Sequence, residues 1–231
     1  MRTDTERDQR GRVQADLDLT NALDRVGWQT RVGRGQPIYR DGTEATWLYR
    51  VDAGAVKVVR HSSQSLKPLI LDIRGPGEFL GFEGLFAERT HPESAWALAA
   101  TRLTCVPQGA CRSLMLRHAD LLYRMMEQVY RINEQLQDRL VAFAYDEGNA
   151  RLAQLLLHLN RKFGQPRANG EHLIDLPLQH RDLAEFSGLR SETVSRILTG
   201  LRSGGVLGSQ RSRLVIRDLT ALQQCADDSN I

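Results

Sequence analysis

The chain has 231 residues, of which 31 are lysine or arginine and 28 are aspartate or glutamate, so its formal net charge is +3. This length accommodates two domains with a sizeable core, and no apolar run is long enough to form a membrane-spanning helix. The three cysteines are an odd, sparse set that argues against a disulfide framework and fits a reducing cytoplasm. Two of them, Cys105 and Cys111, are interpreted as buried thiols or, alternatively, as a redox pair. The six histidines show no spacing typical of a structural zinc site.

The N-terminal residues are charged and contain no apolar signal-peptide segment, so we expect residues 1–19 to form a flexible polar arm. A first domain, residues 20–113, alternates short β-type runs with glycine turns. This spacing indicates an antiparallel barrel or jelly roll. A parallel α/β architecture is disfavoured, because no crossover helix fits between the runs. The predicted strands are Trp28–Val32, Pro37–Tyr39, Trp47–Val51, Ala55–Arg60, Leu69–Ile73 and Trp96–Val106.

The pattern then changes to that of one long helix, residues 114–146, with neither proline nor glycine up to Phe143. Its apolar side chains recur at steps of three or four, which is typical of a coiled-coil dimer seam. The alternative is that the stripe packs on its own β domain. Asp146–Asn149 breaks the helix and is the expected hinge to a third domain, residues 147–231, which begins with a helix over Ala150–Phe163. The predicted seam residues are Leu121, Met125, Val129, Ile132, Leu136, Leu140 and Phe143.

Two further helices are predicted on either side of Gly188. The first lies within Leu178–Leu189 and the second within Arg190–Arg202. A helix, a short glycine turn and a second helix, in this order, indicate a helix-turn-helix. In the second helix, apolar residues fall on one face, and the other face carries Ser191, Glu192, Ser195 and Arg196.

The polar face of this second helix has the chemistry needed to read DNA bases. An arginine donates to guanine O6 and N7, and a glutamate accepts from cytosine N4. The alternative is an ordinary surface helix with an ion pair between positions i and i+4. A glycine break and a predicted β-hairpin follow within Ser203–Arg217, with Arg211 and Arg213 near its tip, as in a winged helix-turn-helix. From Leu176 to Arg217 the chain has seven arginines and three acidic residues, an excess that favours phosphate binding.

In this combination the chain resembles the Crp/Fnr family of bacterial transcription regulators, from about residue 20 to residue 217. The most specific segments are Gly77–Phe86, Ser94–Trp96 and Glu192–Leu198. The resemblance implies an α+β fold with an N-terminal β-roll like the cyclic-nucleotide-binding jelly roll, a dimerisation helix and a C-terminal winged helix-turn-helix. It implies a cytoplasmic homodimer on double-stranded DNA, with RNA polymerase as a further partner if the protein is an activator, and no membrane partner.

The resemblance also assigns roles in DNA recognition. Glu192, Ser195 and Arg196 occupy the base-reading positions, and the Glu-x-x-Ser-Arg arrangement implies an inverted repeat of TTGA-type half-sites. The expected contacts to the DNA backbone, or supports for such contacts, are His180, Arg181, Arg190, Ser191, Thr193, Arg211 and Arg213. An enzyme is disfavoured, because the carboxylates are scattered and no nucleophile elbow or triad is recognisable. The remaining alternative is a ligand-sensing or interaction module of the same fold with weak or no DNA function.

The effector site departs from the pattern of the family. Members that bind cyclic AMP hold the ribose with a glutamate just after a Phe-x-Gly segment, and the phosphate with an arginine just before a Ser-Ala-Trp-like stretch. Here Phe82 stands at the ribose position and is followed by Glu83. Glu93 stands at the phosphate position and is followed by Ser94. A phenyl ring accepts no hydrogen bond from a hydroxyl, and a carboxylate repels phosphate. We therefore predict a degenerate pocket that does not bind cyclic AMP in the usual way, unless a one-residue shift brings Glu83 to the ribose.

No cofactor is predicted. Iron–sulfur members of the family carry a cluster of N-terminal cysteines, and residues 1–30 here contain none. A haem, an unidentified small effector, thiol oxidation and the absence of any effector remain alternatives.

Overall fold

The computed structural model describes residues 20–62, 65–86 and 90–227. The predicted arm and the last four residues of the third predicted domain lie outside these ranges. A helix, α1 (residues 20–26), leads into the first eight strands, and a 3-10 turn (Glu83–Leu85) follows the sixth. The strands are β1 (Trp28–Val32), β2 (Pro37–Tyr39), β3 (Trp47–Ala53), β4 (Val56–Ser62), β5 (Ser65–Arg74), β6 (Phe79–Leu80), β7 (Ser94–Ala97) and β8 (Thr101–Pro107).

These strands form two four-stranded antiparallel sheets, in the orders β1-β8-β3-β6 and β2-β7-β4-β5. The predicted β-roll is thus confirmed. Apolar side chains from the two sheets meet in its interior, among them Val51, Val58 and Leu103. The turn between β3 and β4 requires Gly54, because its φ is +88° and a Cβ there would lie 2.4 Å from the carbonyl oxygen of Ala100.

The run predicted as one strand, Trp96–Val106, is in fact two strands in different sheets. The backbone N–H of Leu98 donates to the carbonyl oxygen of Ala55 (2.8 Å), and the hydroxyl of Thr101 donates to the same oxygen (3.1 Å). These bonds bend the chain between β7 and β8. Because these bonds join residues that are far apart in the sequence, the apolar pattern of the run did not reveal the break.

The predicted long helix is also two helices, α2 (Gln108–Arg117) and α3 (Ala119–Tyr145), separated by His118 in a non-helical conformation (φ −126°, ψ 89°). Cys111 and Leu114 of α2 share one apolar cluster with Leu121 and Met125 of α3. These four positions are spaced as i, i+3, i+10 and i+14, which one straight helix would also place on one face, so the apolar pattern did not reveal the break at His118.

The C-terminal part begins at the expected hinge, since Asp146 and Glu147 are not helical and α4 (Gly148–Phe163) follows. One further four-stranded sheet, in the order β11-β12-β10-β9, packs with the remaining helices. None of the helices within the described ranges has the length and apolarity needed to cross a bilayer. The remaining elements are β9 (Gly164–Pro166), β10 (His172–Ile174), α5 (His180–Ser187), α6 (Ser191–Ser203), β11 (Leu207–Gln210), β12 (Arg213–Ile216) and α7 (Leu219–Asp227).

Two rows of side chains, called here the inner stripe and the outer stripe, run along helix α3. Each residue of the outer stripe directly follows one of the inner stripe in the sequence and is therefore turned by about 100° around the helix axis. The inner stripe is buried or half-buried against the rest of the same chain, and the outer stripe is exposed. The inner stripe consists of Leu121, Met125, Gln128, Ile132, Gln135, Arg139 and Ala142. The outer stripe consists of Leu122, Met126, Val129, Asn133, Leu136, Leu140 and Phe143.

The predicted seam mixed these two stripes and needs correction. Leu121 and Met125 are only 0% and 3% exposed in the roll core and are not available to a partner, and Ile132 is half-buried on the same inner stripe. Of the other predicted residues, Val129 is 40% exposed and Leu140 is 70% exposed. Leu136 and Phe143 also lie on the outer stripe.

Two neighbouring leucines test this assignment. Leu121→Ala is expected to lower the free energy of unfolding by about 2–5 kcal/mol, because it opens a cavity in the roll core. Leu122→Ala, on the outer stripe, is expected to change it by less than about 1 kcal/mol at low protein concentration. Urea denaturation measures both values, and equal losses would contradict the division into stripes.

Candidate nucleic-acid interface and effector pocket

The helix-turn-helix consists of α5 and α6, joined by a turn at Gly188. At the start of α5, the backbone N–H of Gln179 donates to the carboxylate of Asp182 (3.0 Å). Gly188 ends α5 in the left-handed conformation (φ 69°), and a Cβ there would lie 2.8 Å from the ring of Phe143. Both the backbone angle and the approach of α3 therefore require glycine. The buried face of α6 consists of Val194, Ile197 and Leu198.

The opposite face of α6 is open to solvent. Ser191, Glu192, Ser195, Arg196 and Thr199 line a shallow concave surface. Glu192 and Arg196 are exposed and, within the described part of the chain, neither forms an ion pair. The alternative of a surface helix with an i,i+4 ion pair is therefore not realised. Both charged side chains are available to a partner.

The expected backbone contacts lie at the N-terminal ends of both helices, where unpaired N–H groups favour phosphate. His180 and Arg181 are exposed at the start of α5, and Arg190 is exposed just before α6. The carboxylate of Glu185 lies 2.5 Å from Arg181 Nε, so the charge of Arg181 is partly committed. Ser191 is exposed in the first turn of α6, next to the half-buried Thr193.

The wing is the two-residue hairpin between β11 and β12. Arg211 and Ser212 form its turn with positive φ angles of 48° and 64°, as a tight hairpin turn requires. Arg211 is exposed and, among the described residues, has no ion-pair partner. Arg213, by contrast, is paired with the carboxylate of Asp175. Of the two arginines assigned to the wing, Arg211 is therefore the more available for the predicted phosphate contact.

The four residues predicted to form a degenerate effector pocket lie in the β-roll, and the fold brings two of them, Glu83 and Glu93, together. Burial and the nearby carboxylate of Glu83 raise the pKa of Glu93 to about 7. Phe82 instead packs against the apolar cluster of α2 and α3, and Ser94 Oγ accepts a hydrogen bond from the backbone N–H of Asp41 (2.9 Å). A phosphate placed beside Glu93 would meet an acid instead of a counter-charge.

The sequence did not predict three neighbours of Glu83 and Glu93. His91 Nδ1 lies 3.2 Å from Glu83 Oε2, and the ring of Tyr39 stacks on the imidazole with centroids 3.7 Å apart. Arg74 is close enough to lower the pKa of Glu93. Tyr39 and Arg74 come from distant strands, so no local spacing indicates them. Among the described residues, no group of three or more histidine, cysteine or acidic side chains is arranged to hold a metal ion.

The proposed redox pair is disfavoured by its environment. Cys105 and Cys111 are free and buried, and they belong to different apolar clusters. Burial raises the pKa of each thiol to about 11, with an added effect of Asp52 on Cys105. Little thiolate is present near neutral pH, and the thiolate is the reactive form.

Polar contacts dock the helix-turn-helix on the β-roll. Lys57 Nζ of β4 lies 2.7 Å from Asp182 and 3.5 Å from Glu185, both on α5. Lys162 Nζ of α4 lies 3.4 Å from Asp72 and 2.9 Å from Glu78 of the roll. The DNA-binding elements are thus held through α4 and α5, which leaves the polar face of α6 uncovered.

Both halves of the chain are similar to known proteins. Residues 29–118 match the model of the cyclic nucleotide-binding domain, and residues 150–225 match that of the Crp-like helix-turn-helix domain. The transcriptional activator protein Anr of Pseudomonas protegens is 26% identical over 211 residues, which cover 91% of this chain and 84% of Anr. The fumarate and nitrate reduction regulatory protein of Escherichia coli K12 is 25% identical over 208 residues, which cover 90% of this chain and 81% of that protein. The structure of FixK2 from Bradyrhizobium japonicum has the same fold, with a TM-score of 0.74 at 23% identity over 87% of this chain and 97% of FixK2.

The raised pKa of Glu93 predicts how stability depends on pH. The carboxyl titrates near its usual value of 4.5 in the unfolded chain but at about 7 in the folded protein, so its ionisation destabilises the fold as pH rises through this range. Glu93→Gln cannot ionise. We expect this variant to be more stable than the wild type by about 1–3 kcal/mol at about pH 8, after allowance for solvent screening, with the gain shrinking as pH falls toward about 4. Urea denaturation across this range measures the difference, and a pH-independent difference would refute the prediction.

Proposed function

We propose that this chain, which belongs to the Crp/Fnr family of transcription regulators, acts as a homodimer on an inverted repeat of TTGA-type half-sites in double-stranded DNA. Its relatives regulate transcription and are not enzymes. The observation that supports the proposed half-site most directly is the open face of α6, where Glu192 and Arg196 are exposed without ion-pair partners among the described residues. We place the protein in the cytoplasm, with access to DNA.

Each base-reading side chain has a defined role in this proposal. Arg196 donates to the guanine of the half-site, and Glu192 accepts from the cytosine on the paired strand. Ser195 lies between them along the helix and faces a thymine. Arg211 on the wing and the N-terminal ends of α5 and α6 contact phosphates, which position the protein without selecting a sequence.

The outer stripe of α3 supports the proposed dimer. Its residues alternate at steps of four and three, which is the spacing of a two-stranded coiled coil. Leu122, Met126 and Leu140 are 42%, 57% and 70% exposed, respectively, and such a continuous apolar stripe typically marks an interaction site. A two-fold pairing along this stripe places two copies of α6 on one duplex, with half-site centres about one turn, or 10 base pairs, apart.

We assign the domains on this basis. Residues 20–113 form the β-roll and residues 147–231 the winged helix-turn-helix, and α3 is the dimerising part of the predicted segment 114–146. Cyclic AMP is not expected to bind the roll in the usual way, because Glu93 opposes its phosphate. RNA polymerase is the further partner if the protein is an activator.

The recognition assignment is tested by Arg196→Ala. We expect this variant to lose about 1–3 kcal/mol of binding free energy on a duplex with two TTGA half-sites separated by about six base pairs, and to lose preference for guanine at one position. Fluorescence anisotropy with this duplex and with single-base variants measures both effects. Undiminished base preference would show that another surface reads the DNA.

Arg211→Ala is the matched control. It is expected to weaken binding to all sequences alike and to reduce the salt slope by about one. If the wild type binds no duplex more tightly than about 10⁻⁴ M, the non-specific limit, the alternative of a module without DNA function is favoured.

The dimer is tested at Asn133, the polar residue of the outer stripe. A single asparagine in a coiled-coil seam fixes the register and the number of strands at a cost in stability. Asn133→Leu is therefore expected to tighten self-association by about tenfold or more, and Leu140→Ala to weaken it by a similar factor. Sedimentation equilibrium measures both constants. No change in either variant would place the dimer contact elsewhere.

A further inference from the structure

Two carboxylates meet inside the β-roll although ten positions separate them in the sequence. Glu83 belongs to the 3-10 turn after β6, and Glu93 directly precedes β7. Glu83 also contacts His91, whose side chain is only 1% exposed. Two acids so close together are mutually repulsive unless a proton or a cation lies between them.

Tyr39 provides an independent sign that the cluster lacks a partner. This residue is 6% exposed, and its hydroxyl oxygen has no hydrogen-bond partner among the described residues. The ring of Tyr39 stacks on His91, which contacts Glu83. After burial, Glu83 and Glu93 are the main causes that raise the pKa of Tyr39. Native structures rarely leave a buried hydroxyl without a partner. A ligand with N–H groups would donate to this oxygen and to the carboxylates together.

Among the described residues, the surrounding charges fill this role only in part: His91 contacts Glu83 (3.2 Å), and Arg74, whose buried Nε has no hydrogen-bond partner there, is near Glu93. Arg74 and Arg60 lower the pKa of Glu93 but do not outweigh burial and Glu83. The guanidinium of Arg74 is bonded to Asp72, and Arg60 is exposed at the surface. The rings of Tyr39 and Tyr49 stack with centroids 5.7 Å apart, which adds aromatic surface to the cluster. Aromatic faces attract organic cations.

We propose that Tyr39, Glu83, His91 and Glu93 form a binding site for a small organic cation, one that carries an ammonium or guanidinium group. The site lies in the domain whose model is named for cyclic nucleotides, but its charge selects the opposite kind of ligand. The identification of this ligand as the effector rests on the proposed function, whereas the binding itself does not.

When the cation binds, the acid pair releases a proton. The cation donates N–H bonds to Glu83 and Glu93 and to the oxygen of Tyr39, and the proton held by the acid pair leaves to solvent. A route to the DNA-binding part exists through Arg74, because Arg74 is bonded to Asp72, which lies 3.4 Å from Lys162 of α4. The occupied pocket thus alters the charge next to a contact that docks the helix-turn-helix.

Isothermal titration of the full chain tests the site. The probes are agmatine and methylguanidine as cations and cyclic AMP as an anion, at physiological salt and near neutral pH. We expect both cations to bind and cyclic AMP not to bind. Glu93→Gln is expected to weaken cation binding at least tenfold, and Tyr39→Phe, which keeps the stacked ring, several-fold. Glu127→Gln, which removes an exposed acid on α3, is the matched control and should leave binding unchanged.

Titrations in two buffers that differ in protonation enthalpy count the released protons. The wild type should release a fraction of a proton per cation, and Glu93→Gln should release much less. The proposal is overturned if neither cation binds, if Glu93→Gln binds as tightly as the wild type, or if cyclic AMP binds as well as the cations do. DNA affinity is measured separately, so cation binding without DNA binding would overturn the proposed function and leave the site intact.

Discussion

The half-buried guanidinium of Arg139 joins the three parts of the chain. From the inner stripe of α3 it donates to the carbonyl oxygens of Leu71 (2.7 Å) and Ile70 (3.0 Å) of the roll and of Phe186 (2.8 Å) at the end of α5. Its burial lowers the pKa of Arg139 to about 10, yet the group stays charged near neutral pH. Because a buried charge must keep its hydrogen bonds, α3, β5 and α5 cannot shift independently without a large cost.

This constraint makes α3 the element through which pairing and docking are connected. The outer stripe faces away from its own roll and supports the proposed pairing of two chains, while Arg139 on the inner stripe fixes the position of α5. Gly188 lies against Phe143, a residue of the outer stripe, so the turn before α6 also touches α3. A rotation of α3 in the dimer would therefore be transmitted to the recognition helix by direct contact, without any change within α6 itself.

The sequence predicted those features that depend on local patterns. Glycine turns and β-type runs indicated the roll, and Gly188 between two amphipathic segments indicated the helix-turn-helix. The choice of stripe on α3 could not be made in this way, because the adjacent pairs Leu121–Leu122 and Met125–Met126 satisfy either register equally well. Only the docking of α3 on the roll decides between them. The neighbours of Glu83 were missed for the same reason. Tyr39 reaches the acid pair through the pairing of β2 with β7, and His91 is held by a hydrogen bond from its backbone N–H to the carbonyl oxygen of Thr43.

The two functional regions differ in how far family resemblance explains them. On α6, two of the side chains proposed to read DNA, Glu192 and Arg196, are exposed. In the roll, the same fold is kept by a core of apolar residues that do not touch a ligand, so the fold does not determine which ligand is bound. Glu93 stands where the resemblance implies a phosphate-binding arginine, and this exchange reverses one charge in the proposed site without altering the apolar core. The ligand must therefore be inferred from the charge and hydrogen-bonding groups of Tyr39, Glu83 and Glu93.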